Sequence, residues 1–264
     1  MRSSTMIAVL AALMVPVVIH AQAVGVIQTV EGNRIDGTFK WLSAAKAYEV
    51  TARGQNVNMQ LPLEKVADMR IVEPAGLKAA IQAVQGGNAV AAIPVLEKIS
   101  VDYTNLQWDR PAIQYLVEAY LKSGDVKKAL SACERAIAAN PEAAYKGEIA
   151  VSYWRALLKD DKITKLEDAL GRAVASGDQY SSAYALMLRG DQLVAKGDTK
   201  ENRQAALKDG YLRVVMLYKD VPEAQPEALY KAMKCFEAIG HSRGADKMRT
   251  ALKTEFASSE WAKK

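Results

Sequence analysis

Side chains able to make and break bonds are scarce in this chain. Its 264 residues include two histidines and two cysteines. His20 sits in an opening apolar segment, which leaves His241 in the turn-like run Gly240-His241-Ser242. A Ser-His-Asp relay or a histidine-bound zinc would need correctly placed partners around that ring. Nothing nearby suggests them, so His241 is expected to be a helix-terminus residue. Asp160-Asp161 offers two carboxylates of the kind general acid–base chemistry uses. They fall in a turn, where helix capping accounts for them. No glycine-rich phosphate loop and no Gly-x-Ser-x-Gly elbow occurs. The sequence therefore predicts no catalytic residue, no metal site and no cofactor, and the chain reads as a non-enzyme.

What positions the remaining residues is a three-part layout: 1–23, 24–74 and 75–264. Met1–Ala23 has a basic Arg2, an apolar run Met6–Ile19 and the small-x-small pattern Ala21-Gln22-Ala23. This is the form of a cleavable signal peptide, with cleavage after Ala23 or after Ala21. A run of 14 apolar residues is short for a membrane span of about 20, and a retained anchor is the alternative. No cysteine follows for lipid attachment. The expected location is the periplasm, or outside the cell. Without the signal the chain carries 34 basic and 30 acidic residues, spread out rather than clustered. Export and the lack of a basic run with interleaved aromatics make nucleic acid a poor partner.

Residues 24–74 alternate in the manner of strands. Ile35, Gly37, Phe39 and Trp41 share one face of Arg34–Trp41, and the turn Glu31-Gly32-Asn33 joins this strand to Val26–Val30. Ala47–Ala52, the run with Val57, Met59 and Leu61, and Val66–Val72 complete five strands, with a turn at Arg53–Asn56. Five short antiparallel strands can close into a barrel and so remove their edges. The layout, through Gly32–Gly37 and Met69-Arg70-Ile71-Val72, resembles an SH3- or Sm-like barrel. Sm-like folds often bind RNA, an implication the export signal opposes. So small a unit buries little core, and it is expected to lean on the helical part as a docking or capping module.

From Ala75 the period becomes that of helices. Turn signals at Gly87, Gly124, Asp161, Gly197 and Gly240 are 37, 37, 36 and 43 residues apart, the mark of a helix–turn–helix repeat. In each, glycine is expected to end one helix in the left-handed conformation, with Asn, Asp or Ser capping the next. Pro94 is expected to bend or shorten its helix. About five extra residues, Asp198–Gln204, are expected ahead of the second helix of the fourth repeat.

The clearest repeat is Arg110–Pro141. There Leu116, Tyr120, Gly124, Ala129, Ala136 and Pro141 stand at the signature spacings of the tetratricopeptide (TPR) repeat, which this chain resembles over about residues 75–260. Ile113, Val117 and Cys133 replace the signature Trp, Gly and Phe. The runs Tyr211–Val215, Ala228–Lys231 and Glu255–Ser259 are similar to the last repeats of two groups of envelope TPR proteins, one associated with Tol–Pal and one with outer-membrane protein assembly. The chain lacks the lipid-bearing cysteine of one and the coiled coil of the other. The resemblance implies a mainly α fold: a right-handed α-solenoid of about five helix pairs after the small β domain.

In such a solenoid, Cys133 and Cys235, nearly three repeats apart, lie beyond disulfide reach. Cys133 is expected in the core and Cys235 to be partly exposed. The first helices of the pairs would line a concave groove that takes an extended peptide or a partner helix. The family's inner-face positions fall on Gln114, Glu118 and Lys122, then on Glu148, Arg155 and Lys159. They continue at Tyr184, Met187 and Asp191, then at Tyr230, Lys234 and Glu237. The expected role is a scaffold or adaptor for a protein partner within an envelope complex. The alternative is an envelope polymer or glycan reader in the β unit, which exposed Trp41 or Tyr48 would favour. A third is a subunit silent by itself within an enzyme complex.

Overall fold

The computed structural model describes residues 23–55 and 57–264. The expected signal lies outside them except for Ala23, as does Asn56 of the Arg53–Asn56 turn. The chain divides into two units between Val72 and Glu73.

The first unit is one antiparallel sheet of β1 (Ala23–Thr29), β2 (Arg34–Leu42), β3 (Ala47–Ala52), β4 (Asn58–Pro62) and β5 (Val66–Ile71). The strand order is β4-β3-β2-β1-β5, and a 3-10 turn over Leu63–Lys65 links β4 to β5. Period-two patterning dictates the buried face. Phe39 is paired with Val50 and Trp41 with Tyr48, and Phe39, Val50, Tyr48 and Ile27 are buried. Ala23 belongs to β1, fully buried opposite Phe39. Gly25 and Gly37 are paired, and a Cβ on either would run into a backbone carbonyl of the next strand, Arg70 O or Thr51 O. Glycine there allows the sheet to coil tightly. The expected closed barrel is not formed, because β4 and β5 remain the two edges of the sheet. Both resist further pairing in the usual ways. β4 is only five residues long, and β5 exposes Asp68 and Arg70.

The second unit is a helical repeat. Its pairs are α1 (Leu77–Gln85) with α2 (Ala89–Asp102), α3 (Asp109–Ser123) with α4 (Val126–Ala139), and α5 (Glu148–Lys159) with α6 (Ile163–Ala175). Then α7 (Gln179–Ala195) pairs with the run α8 (Lys200–Ala206), a π turn (Leu207–Tyr211) and α9 (Leu212–Leu217), and α10 (Gln225–Ala238) with α11 (Ser242–Glu255). Packing passes from neighbour to neighbour: α1 on α3, α3 on α5, α5 on α7, and α10 on the α8–α9 run. The signature residues form the core. Leu116, Tyr120 and Ala129 are buried, as are Leu157, Leu170 and Ala173 of the next pair, and Cys133 fills its aromatic position. Trp154 is the largest fully buried side chain, and its indole N–H donates to Ala144 O at 2.9 Å.

All five turn residues have positive φ: Gly87 93°, Gly124 86°, Asp161 53°, Gly197 151° and Gly240 77°. The expected Asn and Asp caps are not made, since neither Asn88 nor Asp125 forms a side-chain cap bond. Side-chain caps come instead from Asp178, Thr199 and His241. Pro94 does not shorten its helix, which runs unbroken from Ala89 to Asp102. Pro94 and Val90 are both exposed, so the carbonyl that loses its donor faces water. The extra residues of the fourth repeat do not precede the helix but lie largely within it. The same run contains a π turn, which takes up one residue, and there Gly210 packs against Gly190 so closely that a Cβ on Gly210 would stand 2.8 Å from Gly190 Cα. Among the described residues no helix is long and apolar enough to cross a membrane.

Candidate functional site

Helical spacing puts Glu148, Arg155 and Lys159 on one face of α5, and the fold aims that face at three other first helices. The Arg155 guanidinium donates from Nη2 to Glu227 Oε2 of α10 at 2.7 Å. The other oxygen of Glu227 meets Lys231 Nζ at 2.6 Å. Lys231 in turn reaches Asp191 Oδ2 of α7 at 2.7 Å, and the Tyr211 hydroxyl donates to Asp191 Oδ1 at 2.9 Å. Tyr184 closes the side of the cluster: its ring packs on Tyr180 at 4.7 Å and its hydroxyl donates to Glu223 O at 3.1 Å. A single ionic chain thus links α5, α10 and α7, although Arg155 and Glu227 are 72 residues apart.

The chain is densely surrounded yet open at one end. Glu227 keeps 7% of its side chain exposed, Lys231 20% and Arg155 37%. Burial alone would favour the neutral form of each group. It would lower Arg155, but the charge of Glu227, helped by Tyr184, Asp191 and Glu118 of α3, holds it above its ordinary value. It would raise Glu227, but Lys231 and Arg155 hold that carboxylate below the usual range. It would lower Lys231, but Asp191 and Glu227 keep it raised. Burial raises Tyr184 and Tyr211, and pushes Tyr180 up to about 12, so these phenols stay protonated as donors. Arg155, Glu227 and Lys231 are thus held in their charged forms by one another and by Asp191.

The other expected groove residues are placed in different ways. Glu118 and Lys122 of α3 pair at 2.7 Å, and Lys122 Nζ also donates to Val84 O at 2.8 Å. Gln114 is half-buried beside them, while Glu148 and Lys159 are exposed. Met187 is fully buried and belongs to the core rather than to the groove. Its helix is buried on every side from Ser181 to Leu188, so a helical-face argument could not separate groove from core there. Lys234 and Glu237 pair at 2.7 Å, and Glu237 also meets Arg249 of α11 at 2.6 Å. Tyr230 stacks on Trp261 at 5.3 Å. Glu227, Lys231 and Tyr211 were not foreseen. The Glu-x-x-x-Lys spacing of the first two was a visible signal for an ion pair.

The chemistry-bearing residues are otherwise engaged. His241 Nδ1 accepts from Gly244 N at 2.9 Å, capping α11. Burial pushes the Cys133 thiol up to about 12. Cys235, expected to be partly exposed, is 2% exposed with Arg203 Nη1 at 3.9 Å from its sulfur. Asp161 adopts the left-handed turn conformation. Among the described residues no group of three His, Cys, Asp or Glu could hold a metal ion. In the β unit Tyr48 is 1% exposed, and half-buried Trp41 packs on it at 4.9 Å, so these rings do not form an open stacking platform.

No protein-family model matches this chain, and no curated protein matches it either. Among solved structures it is similar to PilW, described as a widely conserved type IV pilus biogenesis factor. That alignment covers 71% of this chain and 94% of the other, with 15% identity and a TM-score of 0.37.

Proposed function

We propose that this chain is a non-catalytic, exported scaffold or adaptor. Its helical unit acts as a right-handed TPR-like solenoid and takes an extended peptide or partner helix along the face of its first helices. One observation carries this reading: α5, α7 and α10 join at the Arg155–Glu227–Lys231–Asp191 chain, within the field of Glu118 from α3, and that chain remains open at Arg155. A polar floor bordered by Tyr180, Tyr184 and Tyr230 suits a partner held by aromatic and charged contacts. Arg155 and Tyr184 support the fold there, so recognition is assigned chiefly to the exposed rim residues Glu148 and Lys159 and the half-buried Glu118. The β unit serves as a docking or capping module.

Export places the adaptor in the cell envelope. Because Ala23 is a buried member of β1, cleavage after Ala21 is the site that keeps the strand whole.

The test is cross-linked recovery of partners from an envelope extract by the purified chain and by a Glu148→Lys/Lys159→Glu variant. The expected result is one recovered protein that the variant loses while its circular dichroism stays unchanged. Equal recovery by both would overturn the groove reading.

A further inference from the structure

The segment Phe256–Lys264 follows α11 and returns along α10. Its 3-10 turn, Trp261–Lys263, packs on α10, and the Trp261 ring stacks on Tyr230 at 5.3 Å with the ring planes 45° apart. Phe256, Trp261 and Ala262 rest on the core of the helical unit. Lys264 Nζ lies 3.5 Å from the Trp261 ring centroid, the geometry of a cation–π contact. The Lys264 charge reaches Glu227, adding to the pull of Lys231 and Arg155 that keeps that carboxylate ionised. At the other side, Tyr115 of α3 is raised by burial, then by Glu118 and by Glu260 of this same segment. This stretch of nine residues therefore packs on α10, with the charge of Lys264 felt at Glu227 and that of Glu260 at Tyr115 of α3. It presents an aromatic ring to Tyr230 and a cation toward Glu227, and it is held in shape by its own turns, with Ser259 N–H donating to Phe256 O at 2.9 Å and Lys263 N–H to Glu260 O at 3.3 Å.

We infer that Phe256–Lys264 is an intramolecular occupant of the binding face, and that the partner it stands in for is a peptide that adopts a similar turn, with an aromatic residue followed about three positions later by a basic one. This rests on the groove reading above, and it names the class of peptide that the groove takes. The two compete for Tyr230 and the Glu227 side of the floor. A tethered segment has an effective concentration of about 1 mM, so a free peptide meets a groove that is already occupied.

The test uses a fluorescein-labelled peptide of sequence FASSEWAKK, residues 256–264. Its binding by anisotropy is compared for the full chain, a chain stopped after Glu255, and a full-length Trp261→Ala variant. The stopped chain and Trp261→Ala are expected to bind at least about 10-fold tighter than the full chain, and Tyr230→Ala in the stopped chain is expected to abolish binding. Equal affinity for all three, or no binding to either opened form, would overturn the inference. If the stopped chain loses its helical circular dichroism, the Trp261→Ala chain decides. Should the peptide fail while partner recovery still depends on Glu148 and Lys159, the groove reading stands and this inference alone falls. If both fail, the groove itself is not the site.

Discussion

Replacing Glu227 by Gln keeps the shape of the side chain and removes the charge that Arg155 and Lys231 share. Removing one member of a buried ion pair costs about 3–5 kcal/mol, because a buried charge is left uncompensated. Two features lower that figure here. Lys231 retains Asp191 at 2.7 Å, and Arg155 is 37% exposed, so water screens part of its loss. The expected destabilisation is about 2–3 kcal/mol. For a unit of 150–250 residues each kcal/mol moves Tm by about 2–4 °C, so the helical unit should melt about 4–12 °C lower by circular dichroism at 222 nm.

The pH dependence has a definite sign. Glu227 is held below its ordinary carboxylate value, so its contribution is present above its unfolded pKa and is lost as pH falls through the lowered folded value. The native chain should therefore lose stability on acidification through this group, and Glu227→Gln should show a flatter acid limb. Lys231 is raised, so its contribution is present below its unfolded pKa and is lost only in the alkaline range, as pH rises through the folded value. A Tm change under 1 °C, or an unchanged acid limb, would refute the claim that the ionic chain ties α5 to α10.

Further expectations concern packing, turns and thiols. Gly210→Ala should destabilise by about 1–3 kcal/mol in urea melts, because the new methyl meets backbone atoms of Gly190 and Leu186 rather than flexible side chains. Asp161→Gly should stabilise by about 0.5 kcal/mol, since Asp161 holds φ 53° where glycine carries no Cβ penalty, whereas Gly124→Ala at φ 86° should cost about 1 kcal/mol. Both cysteines are buried with raised thiol pKa values, so at pH 8 the native chain should react with an aromatic disulfide reagent far more slowly than the unfolded chain. Rapid labelling of either thiol would contradict its burial.

The repeat was legible because its signals are local. A left-handed turn every 36 to 43 residues restricts residue type, and Gly87, Gly124, Asp161, Gly197 and Gly240 all show positive φ. Alternation likewise marked the five strands, while barrel closure depends on two distant edges meeting, which no local pattern encodes. The candidate site was legible only in part. Arg155, Tyr184 and Asp191 were placed by the resemblance to the inner-face positions of the TPR family, but Glu227, Lys231 and Tyr211, which join Arg155 and Asp191 in one ionic chain, were not among those positions. Met187 went astray because α7 is enclosed by neighbours on all sides, so its inner face carries no distinct polarity. The π turn was invisible for a related reason: it depends on the fit of Gly210 against Gly190, and the sequence showed only surplus length.

The claim that the first-helix face receives the partner is tested most directly by a photo-reactive benzoyl-phenylalanine placed singly at four exposed sites. Glu148 and Lys159 lie on α5, Lys127 on α4 and Met59 on β4. Irradiation of the envelope fraction is predicted to give one protein adduct from Glu148 and Lys159 and none from Lys127 or Met59. An adduct from Lys127 or Met59 in place of the α5 positions would contradict it and move the binding surface to the outer helices or the sheet.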